Sequence, residues 1–273
     1  MLIRVGLPES TGLLPRRAAE AGLSVLISAG RLWDGKGGRF RAPGLGIWDL
    51  ADVSLDSAGF VAMKHWGGYP WSVAQYVEMA TCAARGKPPP WSWWSSMDLC
   101  CEPEIAGDRR IVEDRVRGTA RLLGECRAVA ADTVLKPPMP ILQGWRPEDY
   151  LLSVEMTDAV LGGDWPDLVG VGSVCRRQID GPSGILAVIR AIDGVLPLHV
   201  RLHLFGVKSE AARLLEGNSR IESVDSMAWD FRARKAAHAA GLPSRISDRA
   251  EEMIRWSDRQ ERGQREPFQL RLL

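Results

Sequence analysis

The sequence has little lysine: of its 35 basic residues only six are Lys (Lys36, Lys64, Lys87, Lys136, Lys208 and Lys235). Its cations are therefore mostly arginine, the side chain suited to bidentate phosphate and base contacts, although GC-rich coding produces the same bias. Net charge is nearly absent. Thirty-five basic against 34 acidic residues leave a formal +1, so no global field draws the molecule onto nucleic acid or membrane, and any such contact must be a local patch. Cysteines are few. Cys82, Cys100, Cys101, Cys126 and Cys175 are odd in number and lack CxxC spacing, which argues against a disulfide framework or a zinc ribbon and fits a reducing cytoplasm. No metal or cofactor is expected, because no cluster supplies the three or four ligands of a metal site. No apolar run approaches a membrane span, and Met1 to Gly6 reads as a strand rather than a secretion signal. There is no internal repeat, and the longest low-complexity feature is Pro88-Pro89-Pro90, a stiff loop before a tryptophan-rich segment. What is present is globular: 45% hydrophobic and 25% charged residues. At 273 residues and about 150 per domain, the chain has room for a full-sized core.

Short apolar runs rich in β-branched residues alternate with longer helical stretches, the pattern of repeated βα units around a parallel sheet. Eight strands are expected, at 3–6, 23–28, 53–56, 93–98, 139–143, 168–172, 199–205 and 221–225. Helices are expected at 15–21, 72–84, 109–130, 147–161, 183–192, 209–215 and 229–240. The connection 30–50 shows no helix. Residues 245–265 mix both charge signs at helical spacing and read as a solvated surface helix, with 245–273 a tail to a single domain over 1–273. Eight strands with helical returns give an α/β fold, a TIM-type (β/α)8 barrel, with a doubly wound open sheet as the alternative.

In either architecture ligands meet the carboxyl ends of the strands. Here those ends are polar: Asp56-Ser57, Asp98, Gln143-Gly144, Gly172-Ser173, Gly206 and Asp225-Ser226. Each has a bland reading, since Asp or Ser before a helix is a routine cap and Gly permits a turn. Capping alone does not gather carboxylates, an amide and aromatics at one rim.

These residues carry a resemblance. Leu55-Asp56-Ser57-Ala58-Gly59-Phe60 is similar to the Asp-Ser-Gly-Gly-Phe segment of the tRNA-guanine transglycosylase superfamily, and 224–234, from Val-Asp-Ser-Met onward, to its archaeal nucleophile segment. Ile141-Leu142-Gln143-Gly144 and Leu202-His203-Leu204-Phe205-Gly206 resemble two of its strand ends. The segment 169–177, Val-Gly-Val-Gly-Ser-Val-Cys-Arg-Arg, most resembles the DNA-modifying branch called DpdA, found in phages and mobile bacterial islands. Two departures stand out: no cysteine follows Cys175, so the cysteine-rich zinc subdomain of the tRNA enzymes is lacking, and Val61 replaces the glutamine that follows Gly-Phe.

The resemblance implies exchange of guanine in DNA for a free 7-deazaguanine base, preQ0-like, through a covalent aspartyl-sugar intermediate, by a cytoplasmic pentosyltransferase needing no cofactor. Alternatives are a tRNA-guanine transglycosylase, a base-excising DNA glycosylase, or a catalytically silent barrel that binds nucleic acid. By the motif match Asp225 is the nucleophile and Asp56 the general acid/base. Asp98 and Gln143, with the backbone of Gly172 and Ser173, would read the purine, and Phe60 would stack on it. Arg176, Arg177, Arg232, Arg234 and Lys235 are candidates for phosphate contacts. Trp66, Tyr69, Trp71, Trp91, Trp93 and Trp94 flank the site in sequence and are candidates for its mouth, with Trp93 internal by alternation. Met227 and Trp229 are candidates for crowding the sugar.

Overall fold

The structure, a computed structural model, describes residues 1–175 and 177–265, without the side chains of 209, 210 and 262–265. Eight parallel strands form one sheet: β1 (Leu2–Leu7), β2 (Ser24–Ser28), β3 (Asp52–Asp56), β4 (Trp91–Trp94), β5 (Ile141–Leu142), β6 (Leu168–Val171), β7 (Arg201–Leu204) and β8 (Ile221–Ser226). Their order is β4-β3-β2-β1-β8-β7-β6-β5. The first and last strands pair in the middle, Leu2 opposite Ser223 through Val5 opposite Ser226. Every other neighbour is consecutive in sequence, so the order contains no switch point of the doubly wound kind.

The sheet is curled and TIM-like, but not a closed barrel. Its edges, β4 and β5, touch at a single parallel bridge between Ser95 and Met139. There Met139 N–H donates to Trp94 O (2.8 Å) and Ser96 N–H to Met139 O (2.9 Å). The expected ladder stops because Pro137, Pro138 and Pro140 surround Met139, and proline has no N–H to continue it.

Nine helices are described: α1 (Leu13–Glu20), α2 (Gly59–Trp66), α3 (Val73–Ala80), α4 (Arg109–Ala130), α5 (Pro147–Leu161), α6 (Ile185–Asp193), α7 (Ser209–Leu214), α8 (Ala228–Ala239) and α9 (Ile246–Arg265). Local chemistry sets their starts. Asp108 accepts the Arg110 N–H at the head of α4, and Ser72 forms a capping box with Gln75 at α3. Helix α4 then buries Val112, Val116, Leu123 and Cys126 along one stripe. Between β2 and β3 there is no α-helix; a small hairpin (Trp33–Asp34 against Arg39–Phe40) and two 3-10 turns (Ala29–Arg31 and Leu45–Asp49) take its place.

Helix α9 departs from the solvated reading. Ala250, Met253 and Trp256 recur every three residues and are buried in the core with α1 and α8, a stripe that charged neighbours obscure in the sequence. All five cysteines are free thiols. Among the described residues no helix is long and apolar enough to cross a membrane.

Candidate active site

A cavity of about 180 Å³ opens at the carboxyl end of the sheet. It is smaller than most ligand pockets, which span about 300–1,000 Å³. Asp56, Phe60, Asp98, Gln143, Gly172, Ser173 and Asp225 all line it. Seven positions drawn from five strand ends thus meet in one place. Asp56 is the last residue of β3, Asp225 the penultimate residue of β8, Gln143 follows β5, and Gly172-Ser173 follow β6. Asp98 lies four residues beyond β4, which ends earlier than expected, and Phe60 sits in the first turn of α2, a helix the sequence reading omitted.

The carboxyl groups differ in environment. Asp56 accepts the Ala58 N–H (3.1 Å), and its pKa is pushed up to about 7, first by burial and then by the negative charges of Asp98 and Asp225. It can therefore hold a proton near neutrality and give it up without a large driving force. Burial also raises Asp98, to about 6, against hydrogen bonds that stabilise its charge: Ser57 Oγ donates to Oδ1 (2.6 Å) and Gln143 Nε2 to Oδ2 (2.5 Å). Asp225 Oδ1 accepts the Gly206 N–H at 2.8 Å, and His203 Nε2 lies 3.4 Å away. His203 is fully buried between Trp93 and Phe205, with Nδ1 2.8 Å from Ser223 Oγ. Burial depresses its pKa, so the imidazole beside Asp225 is neutral.

On the side of Asp98 the cavity wall is a hydrogen-bonded chain. Gln143 Nε2 binds Asp98 while its Oε1 accepts from Ser173 Oγ (2.7 Å), which also lies 2.9 Å from Glu102 Oε2 and accepts the Cys101 N–H (2.7 Å). The contact to Asp98 fixes the amide orientation and leaves the second Nε2 hydrogen for a ligand. Gly172 permits this packing, since a Cβ there would stand 2.1 Å from Gln143 Nε2. Glu102, Ser57 and His203 surround these groups and are not among the residues the sequence singles out for the site, whereas Tyr69, expected at the mouth, holds Asp98 from behind. The only sequence signal of the first three was position, within or a few residues from the quoted motifs. Tyr69 OH donates to Asp98 O (2.9 Å) and accepts Asp98 N–H (3.1 Å), clamping that loop.

Several expected contacts are placed elsewhere. Arg177 is buried, and its guanidinium donates to the carbonyls of Ser173, Gly144, Trp145 and Ser183 while stacking on Trp145. It fixes the loops after β5 and β6 and is not a phosphate contact. Arg176 lies outside the described residues. On α8, Arg234 pairs with Asp230 and Arg232 faces Glu252 of α9, while Lys235 is exposed. Trp71, Trp91 and Trp94 are core residues, and Trp93 stacks internally under Arg4, as alternation indicated. Trp66 alone of these tryptophans is strongly exposed. Trp229 is fully buried with its indole N–H on Gly6 O, so it cannot crowd a sugar; Met227 packs over Gly6. Among the described residues no group of three or more His, Cys, Asp or Glu is arranged to hold a metal ion.

A family model described as DpdA, DeoxyPurine in DNA protein A, matches residues 15–266. No curated protein matches the chain.

Proposed function

Because the chain belongs to the DpdA family, DeoxyPurine in DNA protein A, we propose that it is a transglycosylase that exchanges guanine in DNA for a free 7-deazaguanine base. The observation that supports this most is the gathering of Asp56, Asp98 and Asp225 with Gln143 in one base-sized cavity at the carboxyl end of the sheet. The target nucleotide must leave its stack to reach such a site.

In the first half-reaction the Asp225 carboxylate attacks C1′, the bond from C1′ to the purine nitrogen breaks, and that nitrogen takes the proton of Asp56. The sugar is then an ester of Asp225, and Asp56 is a carboxylate. In the second, the incoming base loses its corresponding N–H proton to Asp56, its nitrogen attacks C1′, and Asp225 is released. Two inversions return the original configuration, and one hard displacement becomes two easier ones. The residue environments suit these roles: Asp56, with a pKa of about 7, carries the proton, and Asp225, held by Gly206 N–H, is oriented for attack. Asp98 accepts from the purine N1–H and 2-amino groups, Gln143 donates to O6, and Phe60 flanks the base.

The test is incubation of a DNA hairpin with labelled guanine or a 7-deazaguanine. Label entering the DNA supports exchange. Abasic sites in its place would make the protein a glycosylase, faster entry into a matched RNA hairpin would make it a shortened tRNA enzyme, and neither product would leave only binding.

A further inference from the structure

Asp56 ends β3 and Asp225 lies near the end of β8, and between them in the sheet stand β2 and β1. The base-reading groups come from the loops after β4, β5 and β6, in the other half of the ring. In a nucleotide the base and the two phosphates leave the sugar in different directions. With C1′ between the two aspartates and the base over Asp98 and Gln143, the phosphates are directed over the loops that follow β1 and β2.

That sector holds a second, larger groove of about 860 Å³, whose lining includes Glu9, Arg31, Asp34, Arg39, Arg41 and Arg85. All four arginines are exposed, and none forms an ion pair among the described residues. The Asp34 carboxylate is engaged in its own turn, where Oδ1 accepts the N–H groups of Lys36 (3.1 Å) and Gly37 (3.2 Å). Arg41 donates to Arg31 O, and Arg85 to Pro43 O and Ala42 O, so these two side chains are held in place with guanidinium donors left over.

The groove is also fixed to the catalytic cavity. Gly30 lies so close to Ala58, a cavity residue, that a Cβ there would be 3.1 Å from the Ala58 Cβ. Trp33 packs on Phe40 (5.0 Å) and Trp71 (5.2 Å), Trp71 on Tyr69 (5.3 Å), and Tyr69 is bonded to Asp98. The hairpin is thereby tied to the base-reading loop by a continuous aromatic stack.

We infer that the insertion between β2 and β3, with Arg31, Arg39 and Arg41 and with Arg85 beside it, is the surface that binds the sugar-phosphate backbone of the nucleic acid. This rests on the proposed exchange reaction, because it takes its direction from a nucleotide seated between Asp56 and Asp225. It replaces α8 as the main phosphate surface, since Arg232 and Arg234 face carboxylates there.

The experiment is fluorescence anisotropy with a labelled DNA hairpin across a salt series, on the wild type, Arg39→Glu/Arg41→Glu, Arg31→Glu, and Arg232→Glu/Arg234→Glu. Each lost phosphate contact removes about 0.7–0.9 from the slope of log K against log salt, so the hairpin double variant is expected to lose about 1.4–1.8. Its affinity should fall about tenfold or more, Arg31→Glu should lose about one contact, and the α8 variant should keep the wild-type slope. KM for the free base should not change. A wild-type slope in both Arg39→Glu/Arg41→Glu and Arg31→Glu, or a loss confined to the α8 variant, overturns the inference. Base exchange measured on the same preparations separates the two levels. A wild type that exchanges bases while the hairpin variants bind DNA normally refutes only this surface; a wild type that exchanges nothing refutes the reaction itself. Should the double variant not fold, Arg31→Glu, in the 3-10 turn that precedes the hairpin, decides the matter alone.

Discussion

Replacing Asp56 by Asn removes a carboxyl group whose ionisation the fold resists. Its pKa stands at about 7 against an ordinary 3.8, because burial and the charges of Asp98 and Asp225 oppose the carboxylate. At 1.36 kcal/mol per pK unit that difference corresponds to about 4 kcal/mol as an upper bound. Asp56 keeps some solvent contact, which lessens the penalty, and about 2 kcal/mol is the working expectation. The direction follows from linkage. Between pH 3.8 and about 7 the folded state holds a proton that the unfolded chain has released, so this group's contribution to stability falls as pH rises through that window and is lost above it. Asn cannot ionise, yet its side-chain oxygen can still accept the Ala58 N–H. The stability of Asp56→Asn relative to wild type should therefore rise by about 2 kcal/mol between about pH 4 and pH 8, measured by urea unfolding at each pH. A difference that stays constant across that range would show that Asp56 ionises normally and is unsuited to proton transfer. In the proposed reaction the wild-type rate should fall as pH rises above about 7, while the variant loses most activity and that pH dependence together.

The strand ends were the legible part of this molecule. A buried parallel strand is a short β-branched run, and the residue after it is polar when it faces a site, so Asp56, Gln143, Gly172-Ser173 and Asp225 could be placed without coordinates. Asp98 was found despite a wrong strand boundary. Trp91-Ser92-Trp93-Trp94 pairs with β3 only as far as Leu55, and Asp98 lies beyond it on a loop clamped by Tyr69. The phosphate candidates were less legible, because a charge in sequence does not say whether its side chain points to solvent. Arg177 shows why: it follows the site by four residues, yet its donors are taken up by four backbone carbonyls. The failure of the ring to close lay in the three prolines around Met139, and the buried stripe of α9 was hidden among the surrounding Arg and Glu.

Asp225→Asn should abolish exchange and adduct formation while leaving the fold intact, since Asn can still accept the Gly206 N–H; a denaturing gel with DNA and excess base analogue should show a covalent band only with wild type. Trp256→Ala should cost about 3–5 kcal/mol in thermal or urea unfolding, because α9 is core; a change below about 1 kcal/mol would restore the solvated reading of that helix. Gly172→Ala probes the proposed base-reading chain without touching Asp56 or Asp225. Its Cβ would fall 2.1 Å from Gln143 Nε2, and Gln143 is 1% exposed and held at both ends by Asp98 and Ser173, so it cannot swing aside without breaking one of those bonds. Overpacking of this kind costs about 1–3 kcal/mol, enough to displace the amide while the protein remains folded. KM for the free base should therefore rise about tenfold or more, at 1.4 kcal/mol per tenfold, with DNA affinity and its salt slope unchanged. An unaltered KM in a folded Gly172→Ala protein would mean that the base does not bind against Gln143, and the cavity would then need another ligand.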